Sequence, residues 1–223
     1  MDEQYRTVWS LLVNCLSVVF TCTWTAMHVN MPGPNCQGIM RHIKKLEAMF
    51  YAILVPEAVL FWAWRQYRGA RNLAKTYNND LNLDSAPPFE WGKKMWNYLS
   101  ASADPMDPQW TITHGFYVQM GGFVLYEGDE LICVLTCKDL IQLVQNGDAD
   151  PPMISEDEIM DKSKGSLFSK IVNIVGISVF ILVFFRRLFG GLGHTHLELG
   201  TLCICILAVL ISLIWLKKPL DVE

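Results

Sequence analysis

Four charge-poor apolar blocks constrain this chain more than any other feature. They run over Trp9–Met27, Leu46–Trp64, Leu167–Phe185 and Leu199–Leu216, each 18 or 19 residues long. A helix of that length spans a hydrocarbon core of about 30 Å at roughly 1.5 Å per residue. Of the 223 residues 52% are hydrophobic and only 18% charged, against about a quarter charged in an ordinary soluble domain. The excess sits in the blocks, which favours a membrane class over one large soluble core. The net charge of -4 gives no reason to expect a nucleic-acid partner.

The fold expected is therefore an α-helical membrane protein with about four transmembrane helices, arranged as two hairpins around a small α+β soluble unit. The first hairpin occupies 1–75, a linker with an amphipathic helix 76–109, the α+β unit 110–165 and the second hairpin 166–223. A signal peptide is the rival reading of the first block. Its apolar core would be shorter and end in small residues, whereas Trp24 and His28 stand there. Pro56 and Glu57 lie near the middle of the second block. Proline removes a backbone donor and clashes with the preceding turn, so a kink is expected. A carboxylate at mid-depth costs about 2.5–3.5 kcal/mol on insertion scales. Glu57 is thus the most anomalous residue of the spans. It reads either as a proton or cation site or as a protonated carboxyl bonded to a neighbouring helix.

Beyond Trp64 the helix continues through Arg65, Arg68, Arg71 and Lys75, a basic stripe at helical spacing suited to anionic headgroups. The residues Trp91, Met95 and Tyr98 place an amphipathic helix over 89–99. From Trp110 to Tyr126, alternation of Phe116, Val118 and Met120 against Tyr117 and Gln119 reads as a strand. With Leu131–Leu135 it makes a β-hairpin. Thr136 and Asp139 then cap a helix whose apolar side is Leu140, Ile141, Leu143 and Val144, ended by Asn146-Gly147. Ser155 and Glu158 form a further capping pair, and so do Thr195 and Glu198.

Two metal readings fail on chemistry. Cys133 and Cys137 lack the third and fourth ligands that structural zinc needs. His194, His196 and Glu198 crowd together, but the capping spacing accounts for Glu198 without an ion. No cofactor is implied. The seven cysteines form no framework, since Cys15, Cys22, Cys203 and Cys205 lie in apolar blocks and behave there as small hydrophobes. Cytoplasmic termini place ten Lys and Arg near the span ends inside and five outside, with Arg41, Lys44 and Lys45 among the dissenters. The positive-inside rule therefore favours a cytoplasmic central unit.

His114-Gly115-Phe116 with Met120-Gly121-Gly122-Phe123 resembles a signature of a large group of fungal multi-pass membrane proteins of unknown function. Other patches agree in order: Cys22-Thr23-Trp24-Thr25 with His28, Pro56-Glu57, the run Glu158 to Gly165, and Thr195 to Leu202 with Lys218-Pro219 beyond. Spans three and four depart from the pattern in being aliphatic rather than Trp-rich, and the chain stops soon after Lys-Pro. The resemblance implies a shortened or diverged member, and it carries no established activity.

Three functions remain open. A non-enzymatic membrane scaffold, with an unidentified protein partner on the central unit, needs only what is visible. A transporter or channel component would use Glu57 with His28, and a membrane-embedded enzyme would use His114. No Ser, Cys or carboxylate stands at a catalytic spacing from His114. A histidine before glycine is more often bonded to nearby backbone.

Overall fold

Thr7 opens the first helix by accepting a hydrogen bond from the Ser10 N–H (3.2 Å) on its side-chain oxygen. That serves one of the helix-start donors that lack an intrahelical partner. The computed structural model describes residues 7–30, 38–81, 109–127, 130–162, 167–191, 193 and 195–220. The amphipathic helix expected over 89–99 and His194 lie outside them. The chain divides into two units. Unit 1 comprises 1–65 and 165–216, and unit 2 comprises 66–164 and 217–223.

In unit 1, α1 (Val8–Ala26) packs against α2 (Gly38–Leu54), α7 (Leu167–Phe189) and α8 (His196–Ile214). Its buried face is Cys15, Val19, Cys22, Thr23 and Ala26, and that of α8 includes Thr201, Cys205 and Ala208. Small side chains let helix backbones approach closely, which is how helices associate where no hydrophobic effect separates them from solvent. Cys22 and Cys205 are both fully buried on this seam, and the Cys22 thiol donates to the Val19 carbonyl at 3.3 Å. Outward-facing residues of α1 are Trp9, Val13, Leu16 and Phe20, all exposed. Ser17, Thr21 and Thr25 each donate to a carbonyl of their own helix, at 2.9, 2.7 and 2.9 Å. An outer face of large apolar side chains whose hydroxyls are internally satisfied suits lipid.

Helices α1 and α8 are each long and apolar enough to cross a membrane. The second block is not one straight span. Helix α2 ends at Leu54, α3 (Pro56–Asp80) begins two residues on, and the two are bent by 118°. Proline explains the break: inside a helix its ring would strike the carbonyl four residues back, whereas at the first helical position its missing N–H costs nothing. The expected kink is therefore a turn at Val55. Lys45, counted above among the outside span-end charges, is buried with its ammonium 4.9 Å from the Trp24 ring centre. Arg186 and Arg187 close α7, where cations oppose the dipole's negative end. Arg187 also donates to the Gly193 carbonyl at 3.1 Å.

Unit 2 corrects the reading of Trp110 to Tyr126. Ile112–Gln119 is a helix, α4, and only Val124–Glu127 is a strand, β1. Thr113 through Val118 are all buried. A helix covered on every side shows no polar face, so its periodicity cannot be read. The hairpin survives in shorter form. β1 pairs antiparallel with β2 (Glu130–Val134), with a bulge between Leu125 and Tyr126. α5 (Cys137–Asn146) and α6 (Glu156–Asp161) follow, and the Thr136–Asp139 capping box is formed. Ala74 and Tyr77 of α3, Trp110, Val118, Leu135, Leu140 and Ile141 make the core.

Candidate functional site

Two glycines in the His114-to-Phe123 run decide where α4 can sit. A Cβ on Gly115 would collide with the Ala70 carbonyl of α3, so only glycine permits this approach. Gly121 has φ +86, a left-handed conformation that L side chains disfavour. Its N–H donates to the Val118 carbonyl and that of Gly122 to the Tyr117 carbonyl, both at 2.9 Å. That pair of bonds is a Schellman stop. It turns the chain so that Phe123 stacks on Trp110 (centroids 5.6 Å apart), which itself stacks on Tyr77 at 3.6 Å. Asn78 fixes the Trp110 backbone from both sides, its Nδ2 donating to the carbonyl (3.0 Å) and its Oδ1 accepting from the N–H (2.8 Å).

Inside this frame lies a polar hub. His114, 3% exposed, donates from Nε2 to the Ile154 carbonyl (2.7 Å) and accepts at Nδ1 from the Thr111 N–H (3.1 Å). The two bonds require the neutral Nε2–H tautomer. Burial holds its pKa below the ordinary value, against the opposing pull of the Ile154 carbonyl and the Glu156 carboxylate. Glu156 accepts from the Thr113 hydroxyl (2.9 Å) and from the Lys217 ammonium (2.5 Å). Burial pushes this carboxyl up, but Lys217 with the hydroxyls of Thr113 and Thr111 outweighs it and leaves the pKa lowered.

A second strand of the hub runs through the neighbouring lysine. Lys218 is 1% exposed, and its ammonium donates to Gln66 Oε1 at 3.0 Å. Burial brings its pKa down to about 7. Gln119 places its Nε2 on the Gln66 carbonyl (3.1 Å) and its Oε1 on the Ala70 N–H (2.9 Å). Those are the two ends of one i→i+4 link of α3, so a side-chain amide docks α4 onto the ladder of α3.

Such a hub does little chemistry. Both His114 nitrogens are committed to backbone, so proton transfer there would first break a buried bond. Among the described residues no group of three His, Cys, Asp or Glu could hold a metal ion. The Thr195–Glu198 capping box is formed, with the Thr195 N–H donating to Glu198 at 3.0 Å.

The three residues singled out by sequence are divided between the two units. Glu57 is exposed in the first turn of α3, where the helix dipole favours a carboxylate. His28 belongs to the same unit but is buried, with Nδ1 3.0 Å from the Ala26 carbonyl and its ring 5.7 Å from that of Trp215. His114 belongs to unit 2. The stripe of Arg65, Arg68, Arg71 and Lys75 is exposed as expected.

Sequence reasoning missed Gln66, Asn78, Gln119, Glu156 and Lys218. Lys217 and Lys218 read as a membrane-end charge pair and Glu156 as part of a helix start. Their partners lie 152 and 61 positions away, a separation no local pattern encodes.

The chain belongs to a family of unknown function (DUF8562), whose model matches residues 1–223. Neither the curated proteins nor the solved structures compared with it give a match.

Proposed function

We propose that this member of the family is a multi-pass, non-enzymatic membrane scaffold, whose second unit presents a binding face to a protein partner. The membrane segments are α1, the broken pair α2–α3, α7 and α8, with the termini and the second unit on the cytoplasmic side. The observation that carries the reading is the outer face of the hairpin. Val124 and Tyr126 on β1 and Ile132 and Val134 on β2 are exposed, while Leu125 between them packs on the core. Val124 and Val134 are cross-strand partners, and contiguous exposed apolar patches mark interaction sites. The side chains of His114, Thr113, Glu156 and Lys217 are spent on one another or on backbone, which supports a rigid platform rather than a reactive centre.

Affinity purification of the tagged protein from its own membranes, read by mass spectrometry, tests the reading. Wild type should retain a reproducible soluble partner, and Tyr126→Ser with Ile132→Ser should lose it at unchanged protein level. An identical partner list from both would remove the binding face. Sidedness has its own reporter. Cys133 is exposed whereas Cys137 is buried, so an impermeant thiol reagent should leave Cys133 unlabelled in sealed cells and label it after permeabilisation. Labelling before permeabilisation would invert the topology.

A further inference from the structure

The bend at Val55 creates a groove that nothing described so far uses. It has a volume of about 430 Å³ and is lined by Val29, by Lys44, Glu47, Ala48, Tyr51 and Val55 along α2, and by Ala58, Val59 and Trp62 along α3. All of these residues belong to unit 1. The volume lies within the range of small-ligand sites, about 300–1,000 Å³. Its charged side chains are both at one end. Lys44 and Glu47 are three positions apart and so share one face of α2. The remaining walls are apolar or aromatic. From Lys44 to Val55 the α2 wall rises about 16 Å at roughly 1.5 Å per residue, close to half of a hydrocarbon core of about 30 Å.

The geometry points to a binding site for one zwitterionic phospholipid drawn from the surrounding bilayer. One acyl chain lies along Ala48, Tyr51, Val55, Val59 and Trp62, the phosphate meets Lys44, and the positively charged headgroup nitrogen meets Glu47. Three features select this occupant. The apolar wall is one leaflet long, so a tail entering from the headgroup level fills it. A cation and an anion at the same end complement a headgroup that carries both signs, and an anionic lipid would set an uncompensated charge against Glu47. The outer surface of the same helix, with Ile43, Leu46, Phe50, Ile53 and Leu54 exposed, continues into the groove, so a lipid reaches it without crossing water. Glu57 is not among the lining residues. The inference rests on the membrane reading above.

The test uses the full chain reconstituted in vesicles of equimolar phosphatidylcholine and phosphatidylglycerol. The protein is then taken into mild detergent, and retained lipid is counted by native mass spectrometry. Wild type should keep one phosphatidylcholine, at least threefold over phosphatidylglycerol. Ala58→Phe, at an exposed wall position, should fill the groove and lose the adduct. Ala48→Leu is the milder filler, to be used where Ala58→Phe fails to insert. Lys44→Gln with Glu47→Gln should keep an adduct but retain the two lipids equally. Absence of a wild-type adduct, an adduct indifferent to groove filling, or equal retention of both lipids by wild type would each overturn the proposal. Alkaline carbonate extraction of the same vesicles separates the two failures. Release of wild type would sink the membrane reading and the groove with it, whereas a carbonate-resistant protein without the adduct sinks the groove alone.

Discussion

The two units solve the same problem, what to do with polar groups in an apolar chain, in opposite ways. In unit 1 the hydroxyls of Ser17, Thr21 and Thr25 in α1 and of Thr201 and Ser212 in α8 return to carbonyls of their own helix, so these hydroxyls are satisfied before the helices pack. Neighbours then need only small side chains at the seam, such as Cys15, Cys22 and Ala26 against Cys205 and Ala208. In unit 2 no polar group of the hub is satisfied by its nearest turn alone. His114 needs Ile154, Glu156 needs Thr113 and Lys217, and Gln66 takes its ammonium from Lys218. Unit 1 should tolerate local change, and unit 2 should fail as a whole.

Gly115→Val breaks the contrast hardest. Its branched side chain would occupy the space of the Ala70 carbonyl, and overpacking against backbone exceeds the usual cost of about 1–3 kcal/mol for an inserted methylene. Limited proteolysis should cut unit 2 freely in this variant while the protein remains carbonate-resistant in membranes. Protection of unit 2 equal to wild type would contradict the close approach of α4 to α3.

Titration sharpens the comparison at a lower magnitude. His114 and Glu156 both have pKa values lowered by folding, so the unfolded chain binds their protons more readily. The stability they contribute is full above their unfolded values, about 6.5 and 4.3, and is lost as pH falls through the lower folded ones. Unit 2 should therefore loosen on acidification, first through His114 and then through Glu156, and His114→Gln should remove the earlier phase of a pH-dependent melt. Lys218 has the same sign in a different window. Its folded pKa of about 7 lies below the unfolded value of about 10.4, so stability rises with pH between them by about 1.4 kcal/mol per unit. Lys218→Met should flatten that slope and raise stability at pH 7. A slope unchanged in Lys218→Met would place the titrating group elsewhere.

Much of this architecture is legible in the sequence, and what is not has a physical reason. The blocks that became α1, α7 and α8, the caps at Thr136, Ser155 and Thr195, and the stop at Gly147 depend on contacts within four or five residues. The turn at Val55 was half legible. Proline announces a break, but only packing decides between a kinked helix and two helices bent by 118°. The strand expected at Phe116 to Met120 failed because complete burial erases the signature that separates helix from strand. The hub was invisible, since Lys217 beside Lys218 has the composition of a membrane-end anchor and only the fold buries Lys218.

The smallest effect gives the cleanest comparison, because one substitution can be made in both units. Thr21→Val and Thr113→Val each remove a hydroxyl and keep the shape. Thr21 donates to the Ser17 carbonyl at 2.7 Å, an oxygen that remains within its helix and has a second lone pair, so nothing is orphaned by the change. Its effect should lie within about 0.5 kcal/mol, as at most surface positions. Thr113 is fully buried and donates to the Glu156 carboxylate at 2.9 Å. Its loss leaves a partly buried charge one donor short, a change worth about 1.5 kcal/mol, the low end for bonds to ionised groups. Thermal melts of the two variants in the same detergent should differ accordingly, with Thr113→Val lower. Equal midpoints would mean that unit 2 satisfies its polar groups as locally as unit 1 does, and the distinction between the units would fall.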